Sequence, residues 1–121
     1  MKKTLAALFA VFCLLGSAFA APGEQAAIVT FFSAPEQEKA VQALIKSVRR
    51  WGGAYRSSRI YAVTTDPKEL PGASLRQEGV EVLALEMDPA FLSYPLAFKA
   101  FAAAQVETRV KGTVSTLIWL D

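Results

Sequence analysis

Short apolar segments alternate with helical patterns along this sequence, and this alternation constrains the fold more than any other feature. The segment Ala26–Phe32 is a continuous run that contains β-branched and aromatic residues, which is typical of a strand buried on both faces. Similar runs occur at Ile60–Val63, Val80–Leu85 and Val114–Leu120. We therefore predict four strands, each separated from the next by a helix or a loop.

An amphipathic helix is predicted between the first two strands. Its apolar residues recur at positions i, i+3, i+4 and i+7, and they are Val41, Leu44, Ile45 and Val48. Ser33 stands three residues before Glu36, which is the spacing of a capping box, and Pro35 suits the first helical turn. The pair Gly52 and Gly53 can adopt the left-handed conformation that closes a helix.

A second helix is predicted between the third and fourth strands. Ser93 and Pro95 can start it, and its pattern continues to about Thr108. Apolar side chains cover most of its circumference, so we expect it to lie between the sheet and a further layer. By contrast, the segment from Asp66 to Gly72 is rich in turn residues and is predicted to be a loop.

Strands that alternate with helices pair in parallel through right-handed crossovers. The predicted fold class is therefore α/β, a Rossmann-like open parallel sheet of about four strands with flanking helices, and we expect it to be incomplete. In the common strand order 3-2-1-4, the carboxyl ends of the first and fourth strands flank the crevice where ligands bind. We accordingly expect Phe32, Ser33 and Asp121 to face one another.

The amino-terminal segment has the layout of a signal peptide. A positively charged start and an apolar run from Leu5 to Leu15 precede small residues that end at Ala20. Cleavage there divides the chain into a signal peptide, residues 1–20, and a domain, residues 21–121, that is secreted, periplasmic or in a secretory-pathway lumen. The alternative is an uncleaved membrane anchor formed by residues 4–21, since a spanning helix needs about 20 apolar residues.

Composition excludes several classes of function. The signal peptide contains two of the 13 lysines and arginines and the one cysteine, so the remaining chain carries 11 basic and 11 acidic residues and no thiol. Binding to nucleic acid depends on clustered lysines and arginines, and a domain with no net charge gives no electrostatic case for it. The sequence has no histidine, which argues against zinc hydrolysis and against Ser-His or Cys-His catalysis.

The segment Ser115–Asp121 is an apolar strand that delivers a carboxylate at its carboxyl end. It resembles the strand that ends in the Asp-x-Asp motif of GT-A nucleotide-sugar transferases, with Asp121 as the first carboxylate. The wider pattern is also similar to the start of such proteins: a first strand ending at Ser33, a helix closing at Gly52 and the run Tyr94–Lys99. The alternative is that Asp121 is a polar residue without a special role.

The resemblance implies a nucleoside diphosphate sugar held with Mn²⁺ or Mg²⁺, because hard cations take oxygen ligands and offset phosphate charge. Asp121 would be a metal ligand. The residues that would contact the nucleotide or its phosphates are Thr30, Phe31, Phe32, Ser33, Asp66 and Lys99. For Lys99 the favoured alternative is a lysine whose ammonium group extends from an apolar helix to solvent.

Two further groups of side chains have structural interpretations that we favour. Four aromatic residues at roughly helical spacing can stack on a base or a sugar, but such stripes are usually core; they are Phe91, Tyr94, Phe98 and Phe101. Four arginines form a local basic cluster that is best explained as a solvated helix end; they are Arg49, Arg50, Arg56 and Arg59.

Two functions remain open from the sequence. The first is an exported glycosyltransferase-like fragment that binds a nucleotide sugar and is inactive as residues 21–121 alone, because the acceptor site would lie beyond it. The second is a small exported α/β binding or interaction protein without catalysis. In either case the apolar helix or the sheet edge can pair with a second copy of the chain, and we expect no membrane association after signal cleavage.

Overall fold

The computed structural model describes residues 24–65 and 73–121, and within them four parallel strands form one open sheet in the order β3-β2-β1-β4. The strands are β1 (Ala26–Phe32), β2 (Arg59–Thr64), β3 (Glu81–Ala84) and β4 (Thr116–Trp119). The helices are α1 (Pro35–Trp51), α2 (Ala73–Gln77) and α3 (Pro95–Val110). The predicted Rossmann-like α/β class is confirmed. The predicted signal peptide, residues 1–20, and the predicted loop from Asp66 to Gly72 lie outside the described residues.

The core lies on both faces of the two inner strands. Alternate residues of β1 point to opposite faces, as the pleat of a strand requires. Ile28 and Phe32 join the cluster that packs against α1 and α2, whereas Ala27 and Val29 join the cluster that packs against α3. Burial on both sides explains why β1 is a continuous apolar run rather than an alternating one.

The start of α1 differs from the predicted capping box. The N-cap residue is Ala34, and Pro35 is the first helical residue. Ser33 therefore lies one position too early to cap the helix, and the predicted pairing with Glu36 is wrong. Instead, the side-chain carbonyl of Gln37 accepts a hydrogen bond of 2.7 Å from the backbone N–H of Ser33 and one of 3.2 Å from its hydroxyl.

The end of α1 follows the prediction closely. The helix stops at Trp51, and the N–H of Gly52 donates to the carbonyl of Val48 at 2.8 Å. Gly53 then has a φ of +57°, a left-handed conformation that a side chain would strain. The glycine pair thus turns the chain toward β2.

The helix α3 begins at Pro95, as predicted, but its N-cap is Tyr94 rather than Ser93. It buries Ala102, Val106 and Val110 against the sheet. Leu96, in its first turn, is 85% exposed. The expectation of cover on both sides is therefore wrong for this first turn.

Candidate functional site

The carboxyl ends of β1 and β4 lie side by side in the sheet. Val29 pairs with Trp119, and the N–H of Leu120 donates to the carbonyl of Val29 at 3.0 Å. Asp121 comes two residues after Trp119, so the parallel register brings it level with Phe31. This is the position where the strand order reverses, between β1 and β4, and where open α/β sheets bind their ligands.

An open cavity of about 240 Å³ adjoins this position. It lies between the start of α1 and the ends of the two strands, and its lining residues are Thr30, Phe31, Gln37, Ala40, Val41, Leu44 and Asp121. Ligand pockets commonly measure about 300–1,000 Å³. The cavity can therefore hold a group such as a phosphate or part of a nucleotide, with the rest of the ligand extending outward.

Lys99 forms an ion pair with Asp121, one of the residues that line this cavity. Lys99 lies in the second turn of α3, on the other side of the sheet from α1, and its side chain is 43% exposed. The Asp121 side chain is 56% exposed. The ammonium group of Lys99 therefore does not simply extend into solvent, because it neutralises the carboxylate that the sequence singled out.

The structure brings together four of the predicted site residues. Thr30, Phe31 and Asp121 line the cavity, and Lys99 joins them through its ion pair with Asp121. Phe32, by contrast, is fully buried on the α1 face of the core.

The predicted meeting of Phe32, Ser33 and Asp121 is shifted by the strand register. Continued two residues beyond the pair of Val29 and Trp119, the register puts Asp121 level with Phe31, one residue before Phe32 and two before Ser33. The backbone N–H and the hydroxyl of Ser33 are both bonded to Gln37. Gln37 is a cavity residue that the sequence did not single out. Its only signal was its place in the first turn after Pro35, where a side chain can reach back to the chain before the helix.

The aromatic stripe is only partly core. The ring centroids of Phe31 and Phe98 lie 6.0 Å apart, and those of Phe91 and Phe101 lie 5.2 Å apart. Tyr94 is 63% exposed, however, and Phe91 is 42% exposed. The prediction of a buried stripe holds better for the two rings within α3 than for the two that precede it.

The basic cluster at the end of α1 has a structural role. The guanidinium group of Arg49 donates to the carbonyls of Arg56 and Ser58 at 2.7 and 2.8 Å. It thereby holds the turn that leads into β2. Arg50 lies over the ring of the exposed Trp51, at 4.9 Å from its centroid. These contacts explain the positions of Arg49 and Arg50, two of the four arginines, without any bound ligand.

A larger groove, of about 670 Å³, lies at the opposite end of α3. It is formed by the last turn of the helix and the start of β4, and it includes Glu107, Lys111 and Leu117. Its larger volume favours this groove as a ligand site, but the groove lies at the amino ends of the strands. We favour the smaller cavity because the carboxyl ends are where open α/β sheets bind ligands.

The donor set suits a metal ion only in company with a ligand. Within residues 24–65 and 73–121, no group of three or more acidic, cysteine or histidine side chains could hold a metal ion. Mg²⁺ at nucleotide sites usually takes one or two carboxylates together with phosphate oxygens and water. Asp121 can supply one such carboxylate, which in this structure is paired with the ammonium group of Lys99.

Comparison with known proteins returns no matching family model, no matching curated protein and no matching solved structure. The resemblance to GT-A transferases therefore remains a prediction. In the part of the chain that the structure describes, no helix is long and apolar enough to cross a membrane.

Proposed function

We propose that the protein is an exported, glycosyltransferase-like domain that binds a nucleoside diphosphate sugar with Mn²⁺ or Mg²⁺ at the carboxyl ends of β1 and β4. The observation that carries this proposal is the position of Asp121. Its carboxylate lies at the reversal of strand order, beside a cavity that Thr30 and Phe31 line, and within reach of the Lys99 ammonium.

Each of these residues would make a different kind of contact with the ligand. The Asp121 carboxylate would hold the cation, which offsets the charge of the diphosphate and would stabilise a departing nucleoside diphosphate. The Lys99 ammonium would contact a phosphate oxygen. The side-chain N–H groups of Gln37, whose amide oxygen already accepts from Ser33, would donate to the nucleoside at the cavity wall. The proposal concerns binding, not transfer.

Calorimetric titration with a panel of nucleoside diphosphates, each with and without Mn²⁺, tests this function. We expect one of them to bind only when Mn²⁺ is present, and we expect Asp121→Asn to weaken that binding by at least about tenfold. Glu107→Gln is the matched control, because it neutralises an exposed carboxylate in the groove at the far end of α3. Equal binding by the Asp121 and Glu107 variants would refute the assignment.

Export is tested by the intact mass of the protein recovered from its host. Cleavage after Ala20 predicts a chain that begins at Ala21. A mass that retains residues 1–20 would favour the membrane anchor instead. The same measurement reports the true carboxyl end, and a mass above that of residues 21–121 would direct the search to a second carboxylate after Asp121.

A second candidate is a binding or interaction protein without catalysis, and one surface favours it. Leu92, Tyr94 and Leu96 are 60%, 63% and 85% exposed. They occupy alternate positions just before and within the first turn of α3. Contiguous exposed apolar side chains often mark a contact with a partner, which here includes a second copy of the chain. Absence of nucleotide binding, together with concentration-dependent self-association, would select this candidate.

A further inference from the structure

The strand β4 forms one edge of the sheet. Among the residues that the structure describes, it pairs with β1 on one side and with no strand on the other. The N–H of Leu120 donates to the carbonyl of Val29, so the backbone groups of every second residue point to β1. Those of Leu117 and Trp119 therefore point away from β1. The strand thus offers N–H and carbonyl groups to a further strand.

This edge lacks the features that commonly prevent pairing between copies of a protein. The sequence of β4 is Thr-Leu-Ile-Trp, without a charge, a proline or a glycine. Edge strands are often protected by charged side chains or by proline. The other edge strand, β3, begins with Glu81, which forms an ion pair with Arg109. Of the two edges, β4 is therefore the one suited to pair with another strand.

The side chains of β4 complement those of a second, antiparallel copy of the same strand. Leu117 and Trp119 pack on the α3 face of the sheet, and Ile118 and Leu120 pack on the α1 face; all four are only partly buried. In an antiparallel pair, the residues whose backbone groups point outward form the hydrogen-bonded pairs. A twofold axis at Ile118 pairs Leu117 with Trp119 of the second copy and puts Ile118 opposite itself. Apolar side chains then meet on both faces, which stabilises antiparallel strands.

The groove of about 670 Å³ between α3 and β4 adjoins this edge. Leu117 lines it together with Ala104 and Thr108 of α3. Because directly opposite residues lie on the same face of a sheet, Trp119 of the second copy would stand beside Leu117 and extend over this groove. An aromatic side chain of this kind buries about 150–250 Å². The groove, which the nucleotide proposal leaves unused, therefore fits the indole ring of the second copy.

We propose that two copies of the chain associate through β4, antiparallel about a twofold axis at Ile118, with Trp119 of each copy in the groove of the other. The two sheets then form one continuous sheet. The contact is narrow, because a strand of four residues and one tryptophan cover less than the 800 Å² or so that each partner buries in a standard interface. We therefore expect a dissociation constant on the order of micromolar. This dimer needs neither a nucleotide nor a metal, so it is independent of the proposed function.

A cysteine placed on the proposed axis tests the register. Opposite residues in a non-hydrogen-bonded antiparallel pair have Cα atoms about 4.5 Å apart, which a disulfide can span. Ile118→Cys should therefore link two copies under mild oxidation. Thr116→Cys is the matched control, because in this register its two copies stand roughly 13 Å apart, too far for a disulfide. Non-reducing electrophoresis of the protein recovered from its host measures the linkage, and oxidised wild type shows any linkage through Cys13.

Sedimentation velocity over a range of concentrations measures the association itself. Trp119→Lys puts a charge on the edge and removes the ring from the groove, so it should raise the dissociation constant at least about tenfold. Trp51→Lys makes the same change at a tryptophan that is 75% exposed at the end of α1, and it should leave the constant unchanged. Urea unfolding of both variants checks that the fold is kept.

The expected result is a concentration-dependent dimer, weakened by Trp119→Lys, with linkage in Ile118→Cys and none in Thr116→Cys. A wild-type protein that stays monomeric up to about 500 µM would overturn the proposal. Equal linkage in the two cysteine variants would overturn it too, because the axis would not lie at Ile118. A dimer that Leu96→Ser dissociates and Trp119→Lys does not would place the contact at the start of α3 instead. If Trp119→Lys does not fold, the comparison of the cysteine variants decides.

Discussion

The two long helices, α1 and α3, pack on opposite faces of the same sheet, and the less apolar of them is anchored by the larger side chains. In α1 the buried residues are Val41 and Ile45, on a single stripe with charged side chains opposite. In α3 the buried residues include Ala102 and Val106, although apolar side chains surround much of the helix. The amount of apolar surface on a helix therefore does not tell how much of it is buried.

Small buried residues give α3 a different attachment. Alanine and valine permit close approach to the sheet but remove less apolar area from water than isoleucine or leucine does. Part of the attachment is polar. The side-chain amide of Gln105 donates to the carbonyl of Ala84 at 2.8 Å and accepts from the N–H of Glu86 at 2.9 Å, which ties α3 to the end of β3.

The comparison predicts the largest effect in the anchor of α1. Ile45 is 1% exposed, and Ile45→Ala should lower the free energy of unfolding by about 2–5 kcal/mol, because it removes buried methyl groups and leaves a cavity. Urea unfolding measures the change. Lys39→Ala, on the exposed side of the same helix, is the control and should stay within about 0.5 kcal/mol. If Ile45→Ala lowered the free energy of unfolding no more than the control does, the larger buried side chains of α1 would not be its anchor.

The polar attachment of α3 should have the next largest effect. Gln105→Ala removes two hydrogen bonds to the backbone, and each contributes about 0.5–1.5 kcal/mol, so we expect a loss of about 1–2 kcal/mol. Gln42→Ala makes the same change in the middle of α1 and serves as the reference. Hydrogen exchange adds a local readout, since the Glu86 amide should exchange faster in the Gln105 variant. If the exchange rate of the Glu86 amide did not change, Gln105 would not hold α3 to the end of β3.

A smaller effect is expected at the start of α1. Gln37→Ala removes the bonds that join the helix to Ser33, and loss of a terminal contact of this kind costs about 0.5–1 kcal/mol. Urea unfolding again gives the value, and amide exchange at Ser33 should accelerate. If Ser33 keeps its protection, a partner other than Gln37 holds the entry to the helix.

The smallest effect on stability is expected at the exposed end of α3. Leu96→Ser should change the free energy of unfolding by no more than about 0.5 kcal/mol, because Leu96 is already 85% exposed. Sedimentation velocity should show less self-association in this variant if the apolar surface is a contact. If the free energy of unfolding fell by more than about 1 kcal/mol in a monomeric protein, the chain itself would cover Leu96. The start of α3 would then be packed, as the buried stripe of α1 is.

Apolar periodicity in the sequence was sufficient to predict the four strands and the two long helices of this fold. Continuous runs marked the inner strands, the stripe from Val41 to Val48 marked α1, and the glycines after Trp51 marked its end. Each of these signals is local, because the spacing of side chains along a strand or helix is a property of the backbone itself. The short helix α2 gave no such signal, since five residues are too few to show a period.

The tertiary structure decided which distant residues meet. The register of β4 against β1 puts Asp121 beside Phe31 rather than Ser33, and the packing of α3 brings Lys99 to that carboxylate. Neither fact follows from periodicity, because strand pairing and helix placement depend on the fit of whole faces across the sheet. The sequence by itself thus determined that a carboxylate would follow an apolar strand, and only the folded chain determined that a lysine would pair with it.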